Sequence, residues 1–420
     1  MLRGQRLLDR YEQQLYKYAD LLIRVGVNLQ PGQVLYLESP LETPEFTRIV
    51  VRKAYEAGAK FVQVVWVDET ISRIRFESAS DDSFTYYPQW TASTMEQLCE
   101  SGGALLSLLA DDPDLLNGID SAKISTATKA ASVARQKFRS YIRTNKISWC
   151  LANVPTRAWA DKVFSDLPES DRVQALWDIL FKINRIDHED PVASWQQHIQ
   201  SLQSLSGLMN EKRYKKLHYK GPGTELTVEL AQDHVWIGGG GWNQSGVYFV
   251  ANMPTEEVFT MPHRSGTNGY VSSTMPLNYN GGIIDEFTLT FKDGHVVDYT
   301  AKVGYESLKE LLETDEGAKY LGEVALVPQN SPISNLNRVF FDTGLDENAS
   351  CHLAIGSAYP FNIQDGTQMS KEELEARGAN MSMTHVDFMI GSAALDIDGE
   401  LADGSLEPIF RQGNWVITTA

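Results

Sequence analysis

Gln33–Val67, QVLYLESPLETPEFTRIVVRKAYEAGAKFVQVVWV, holds a complete strand–helix–strand unit. After the Pro31-Gly32 turn, Gln33–Glu38 reads as a strand. Thr43-Pro44-Glu45 opens a helix, a cap residue followed by Pro at the first helical position, where the missing N–H costs nothing. That helix continues through Arg52-Lys53-Ala54-Tyr55 and stops at Gly58. Phe61–Val67 is then a continuous apolar run of the buried-strand type. Upstream, residues 8–25 repeat apolar side chains at spacings of three and four, including Tyr11, Leu15, Tyr18, Leu22 and Val25, the signature of an amphipathic helix. Downstream, the apolar stretches Ala104–Leu109 and Ile147–Leu151 alternate with helical segments, and two or three more helical segments fall between 156 and 208. Alternation of this kind predicts an α/β domain with a mostly parallel sheet covered on both faces. No GxGxxG or P-loop motif occurs in it, so no nucleotide is assigned.

The texture changes near Tyr214. Strands flank Gly221-Pro222-Gly223, and Asp293-Gly294 joins Phe287–Phe291 to Val296–Thr300 as a hairpin. Further turns fall at Asp398-Gly399, Asp403-Gly404 and Gln412-Gly413, and one helix is expected near Ser307–Leu312. The expected division is an N-terminal α/β domain over 1–205 and a C-terminal, mostly antiparallel β (α+β) domain over 206–420. Gly238–Gly241 reads as a flexible loop between strands.

The 420-residue chain carries a formal charge of −18, with 42% hydrophobic and 22% charged residues, as in ordinary globular proteins. Such acidity argues against nucleic acid, which needs clustered Lys and Arg. No run approaches a membrane span, and the charged N-terminus does not read as a secretory signal. Cys99, Cys150 and Cys351 are an odd number without CxxC spacing, which fits a reducing cytoplasm.

Chemistry gathers in the second half. In Met381–Gly391, MSMTHVDFMIG, a strand places His385 and Asp387 on one face and Val386 and Phe388 on the other. An imidazole beside a carboxylate is a good divalent-metal pair, although a plain hydrogen-bonded pair on a wet sheet face has the same pattern. His352 lies between the acidic turn at Asp346-Glu347 and an apolar run; a core histidine bonded to a carbonyl is its other reading. Glu323, inside the apolar Leu321–Pro328, is costly unless paired or metal-bound. Glu257 follows Pro254 and precedes an apolar stretch, and Glu256 should face the opposite way. Glu257, Glu323, His352, His385 and Asp387 together can hold two adjacent divalent ions bridged by a carboxylate and water. The remaining histidines, His188, His198, His218, His234, His263 and His295, read as surface or capping residues.

The ordered blocks NMPTEEVFT (252–260), LGEVALVP (321–328), DENASCHLAIGSAYP (346–360) and NMSMTHVDFMIG (380–391) resemble the aminopeptidase T/AmpS/PepS family of metallo-aminopeptidases, and GVNLQPGQVLYLESP (26–40) looks similar too. The resemblance implies metal ligands at Glu257, Glu323, His352, His385 and Asp387, with Tyr359 nearby; Glu347 is a further acidic candidate. It implies two divalent ions per subunit (zinc, cobalt, manganese or magnesium) and a cytoplasmic homodimer that releases N-terminal residues from short peptides. Tyr359 is then a candidate donor to the oxyanion. Glu323, Glu257 and Glu347 all remain candidates for the carboxylate that moves the proton, and Glu256 and Glu347 for the partner of the substrate ammonium. Another metal-dependent amidase, and a non-enzymatic peptide-binding protein, are the competing readings.

Overall fold

The computed structural model describes residues 2–280 and 282–417. The chain divides into two compact units, one formed by 1–199 with 240–255, the other by 200–239 with 256–420. In the first unit a five-stranded sheet runs in the order Asn252–Met253, Trp149–Asn153, Ala104–Leu109, Val34–Pro40, Phe61–Val67, with every pair parallel. Helix Pro44–Glu56 makes the crossover between the two strands of the opening stretch. The central strand Ala104–Leu109 is buried over all but its last residue, as a parallel strand covered on both faces must be. Phe61–Val67 differs from its reading as a buried strand. It is the edge of the sheet, and Phe61 and Trp66 are exposed. An apolar run marks a strand but carries no information on its place in the sheet order. The core beside the N-terminal helix Leu2–Leu21 is aromatic, with Tyr18 stacked on Phe46 and Trp177 on Phe181.

In the second unit all strand pairs are antiparallel. Nine strands form one sheet, which contains the hairpin Lys216–Gly221/Thr224–Leu230 and the pair Gly282–Lys292/His295–Val303. The turn of the latter places Asp293 and Gly294 at φ 49° and 80°, both positive as the tight hairpin requires. The expected helix is Tyr305–Leu312. A second sheet runs His385–Met389, His352–Gly356, Leu321–Leu326, Val258–Thr260, Ile237–Gly238. One face of this sheet joins the apolar core through Val324, Leu353, Ile355 and Phe388. Its other face is polar.

Candidate metal centre

Residues opposed across an antiparallel ladder share a face. Glu323 is opposite Ala354, which is opposite Asp387; Ala325 is opposite His352; Gly356 is opposite His385. Four polar side chains therefore project from one side of three adjacent strands, with Ala325, Ala354 and Gly356 between them leaving the space above the sheet open. Glu323 is aimed by a bulge, since the register shifts between Leu321 and Glu323. The extra residue must be Gly322, because a Cβ there would lie 2.4 Å from the Gly356 carbonyl oxygen. Glu257 adjoins strand Val258–Thr260, and Glu347 begins the short turn Glu347–Ala349 that leads into His352.

Glu323 is buried, and its two oxygens face two different imidazoles: Oε1 is 3.6 Å from His352 Nε2 and Oε2 is 3.7 Å from His385 Nε2. His352 Nε2 also approaches Glu257 Oε2 at 3.0 Å, and His385 Nε2 lies 3.5 Å from Asp387 Oδ1. Each imidazole donates its other nitrogen's proton to a backbone carbonyl, His352 Nδ1 to Ser350 at 3.1 Å and His385 Nδ1 to Ser357 at 2.7 Å. Those bonds fix the tautomer in which Nε2 offers a lone pair, the usual second-shell arrangement of a metal-binding histidine. Three groups have donor atoms mutually within 4.8 Å: Glu257–Glu323–His352, Glu323–His385–Asp387 and Glu347–His352–Asp387.

Burial raises the Glu323 carboxyl to about 7, with Asp387 and Glu257 adding repulsion and His352 opposing it. Glu347 is pushed well above the carboxylate range by burial, then by Asp387 and Glu257. For both histidines burial works against charge, but Glu257 and Glu323 lift His352 well above its ordinary value, and Asp387 with Glu323 lifts His385 to about 9. Burial likewise works against the Asp387 charge, yet His385 holds this carboxyl below its ordinary value. Without metal, protons thus do the work of cations in this cluster.

A family model described as thermophilic metalloprotease (M29) matches residues 11–415. The chain is 52% identical to Aminopeptidase 2 of Geobacillus stearothermophilus over 413 residues, 98% of this chain and all of that protein. It is 42% identical to Aminopeptidase T of Thermus aquaticus, covering 98% of this chain and all of the relative. The solved structure of wild-type AmpT from Thermus thermophilus superposes with a TM-score of 0.90 at 38% identity, over 97% of this chain and all of that one. The chain belongs to the M29 metallopeptidase family.

M29 membership implies a divalent metal cofactor, and the donor set fits one. Glu257 Oε2 and His352 Nε2 are buried 3.0 Å apart without the geometry of a hydrogen bond, and Asp387 Oδ1 is also buried without one. A buried polar atom whose hydrogen bond is not made costs about 1–3 kcal/mol, and these atoms fall in overlapping ligand groups that share Glu323 and His352, an arrangement that suits cations. Mixed imidazole and carboxylate donors suit zinc, cobalt or manganese. The structure brings Glu257, Glu323, Glu347, His352, His385 and Asp387 of this M29 chain together. Tyr359 follows the His352 strand, its ring 4.7 Å from that of His385 and stacked on Phe361 at 5.0 Å. Glu256 is buried but enters none of the three groups, among the described residues. The other histidines find other partners: His218 bonds Glu400, His188 Ser194, His198 and His234 backbone carbonyls, His263 Ser265, and His295 packs edge-on to Tyr320. The sequence reading missed the small residues between the ligands. In His352–Gly356 the alternate positions are His, Ala and Gly, a pattern that could have revealed a face kept clear.

Proposed function

We propose that the chain is a dinuclear metallo-aminopeptidase that releases N-terminal residues from short peptides, with its second unit as the catalytic one. Peptide hydrolysis rests on family membership and on the aminopeptidase names of its relatives. The observation that supports two ions is the single Glu323 carboxylate facing both His352 and His385. Charge supports it as well: Glu257, Glu323, Glu347 and Asp387 carry four negative charges when ionised, which two divalent ions balance. In this reading Glu257, Glu323, His352, His385, Asp387 and Glu347 are the ligands.

Bound ions would supply a water of lowered pKa and a Lewis acid for the scissile carbonyl. The chain's residues do the rest. The apolar strands beneath the site hold the donors at fixed spacing and keep bulk water from one side. Glu323, Glu257 and Glu347 are the candidate carboxylates to move a proton from water to the leaving amine. Tyr359, against His385, is the candidate to donate to the oxyanion. Glu256 is the candidate partner for the substrate ammonium, the contact that would make the enzyme count from the N-terminus. Three free buried thiols suit a cytoplasmic home, and no described helix is long and apolar enough to cross a membrane. The homodimer belongs to the same proposal and rests on the resemblance alone.

The test is hydrolysis of Leu-containing di- to pentapeptides and their N-acetyl forms, with metal content measured on the same preparation. Stepwise release from free N-termini and about two equivalents of metal are expected. Equal cleavage of the acetylated peptides would remove the aminopeptidase assignment, and one equivalent in fully active protein would remove the dinuclear one.

A further inference from the structure

The ladder fixes only part of the site. Glu323, His352, His385 and Asp387 sit on paired strands, so backbone register sets their spacing. Glu257 and Glu347 lie outside the ladder, one in the loop before Val258 and the other at the head of a three-residue turn. Their segments are far apart in sequence, and neither is held by strand pairing. Something else must keep these two carboxylates at ligand distance.

We propose that Asn348 is the positioning residue that ties these two segments together and so completes the ligand set. Its side chain has no solvent exposure. Its Oδ1 accepts the backbone N–H of Glu256 at 2.7 Å, immediately before Glu257. Its Nδ2 donates to the Gly344 carbonyl at 2.9 Å, closing the turn that presents Glu347. Its own backbone carbonyl accepts the Ser331 hydroxyl at 3.3 Å. A carboxamide carries its acceptor and its donor on two separate atoms without adding charge, so one short side chain reaches both segments. Aspartate would lose the donor and set a fifth acid beside four; leucine would leave a buried N–H and a buried carbonyl unpaired. With both ends of the amide used inside the chain, Asn348 is no ligand; it acts through Glu257 and Glu347.

The inference rests on the reading of those two glutamates as ligands, and the experiment separates the two ideas. Metal-free, full-length wild type, Asn348→Ala, Ser331→Ala, Glu257→Gln and Glu347→Gln are titrated with zinc by calorimetry, and the visible spectrum of each is recorded after cobalt loading. Asn348→Ala is expected to bind zinc about 10–100-fold more weakly, the usual cost of removing an outer-shell partner, with an altered cobalt spectrum. Ser331→Ala removes the bond to the Asn348 backbone carbonyl but leaves both bonds of the Asn348 amide, and should bind as wild type if the amide is what ties the segments. Should the alanine variant fail to fold, Asn348→Ser takes its place, with a smaller loss expected. Wild-type affinity in the Asn348 variant, while Glu257→Gln and Glu347→Gln are weakened, overturns the positioning role alone. An equal loss in Ser331→Ala overturns it too, because loosening of the neighbourhood would then suffice. Wild-type affinity in both glutamine variants overturns the ligand reading and the inference with it.

Discussion

Each unit holds a carboxyl group pushed up to about 7, Glu69 in the first and Glu323 in the second. The main cause is the same, removal from water. The surroundings differ. Glu69 heads helix Glu69–Ser78, is half-buried, accepts the Asp112 N–H at 2.9 Å, and is repelled by the acids Asp111, Asp112 and Glu42. Glu323 is buried between two imidazoles whose orientation is fixed by backbone carbonyls. A perturbed acidity therefore locates burial, and the mixture of donors locates chemistry. Near Glu69 a proton is sufficient; around Glu323 imidazole and carboxylate ligand atoms gather in overlapping groups, and a proton cannot serve them all.

The comparison is sharpest when metal is removed. Exhaustive chelation should abolish turnover, with restoration by zinc or cobalt. Glu323→Gln, His352→Ala, His385→Ala and Asp387→Asn should each lower kcat/KM roughly 10³-fold or more, well beyond the usual outer-shell cost of about 10–100-fold, with loss of metal by elemental analysis. Glu69→Gln should keep both metal and turnover. If Glu323→Gln retained its metal, the two carboxylates would be alike after all.

Tyr359→Phe is expected to lower kcat by about 10²–10³ if its hydroxyl donates to the oxyanion. An effect confined to KM would mean that the ring only positions substrate. The metal-free acidities give the next effect its sign. His385 must lose a proton held up to about 9, and Glu323 one held up to about 7, before they can ligate. Zinc affinity should therefore fall as pH drops below about 9, by about tenfold per unit for each proton displaced, and more steeply below about 7. Affinity flat across that range by competition titration would break the contrast with Glu69.

The smallest effect belongs to Glu69. Its folded-state value lies above that of the unfolded chain, so the folded state binds the proton more tightly and stability falls as pH rises from the ordinary carboxylate range through about 7. Glu69→Gln keeps an acceptor for the Asp112 N–H and removes that cost. It should raise Tm by no more than a few degrees at pH 8 and leave it unchanged at pH 4, by calorimetry.

How much of this was legible depended on the range of the interactions. Helix and strand alternation in Gln33–Val67 is local, and the chain follows it. The parallel strand Asn252–Met253 was not legible, because two residues show no period and their partners are Leu151 and Ala152, about a hundred residues earlier. Gly238–Gly241 was read as a flexible loop. Gly239 and Gly240 do connect two short strands, Ile237–Gly238 and Gly241–Trp242, so the outer glycines belong to strands; at Gly240, where φ is +140°, a Cβ would lie 2.4 Å from the Phe249 carbonyl oxygen. Glu323 stood out as a charge in an apolar run, and His385 with Asp387 as a same-face pair. Asn348 gave no signal, since its contact with Glu256 spans 92 residues and uses a backbone group that every sequence shares.

The ladder that lifts His385 and Asp387 to one side and puts Val386 between them toward the core makes the centre a matter of parity. Inserting or deleting one residue between Asp387 and Phe388, with Phe388 held in the core, would turn both donors toward Leu353 and Phe287 and deliver apolar side chains to the site, whereas a two-residue change would keep the sides and shift only position. Length variation among relatives should therefore be barred inside these three strands and free in the turns that connect them, with the bulge at Gly322 as the one odd step built into the count.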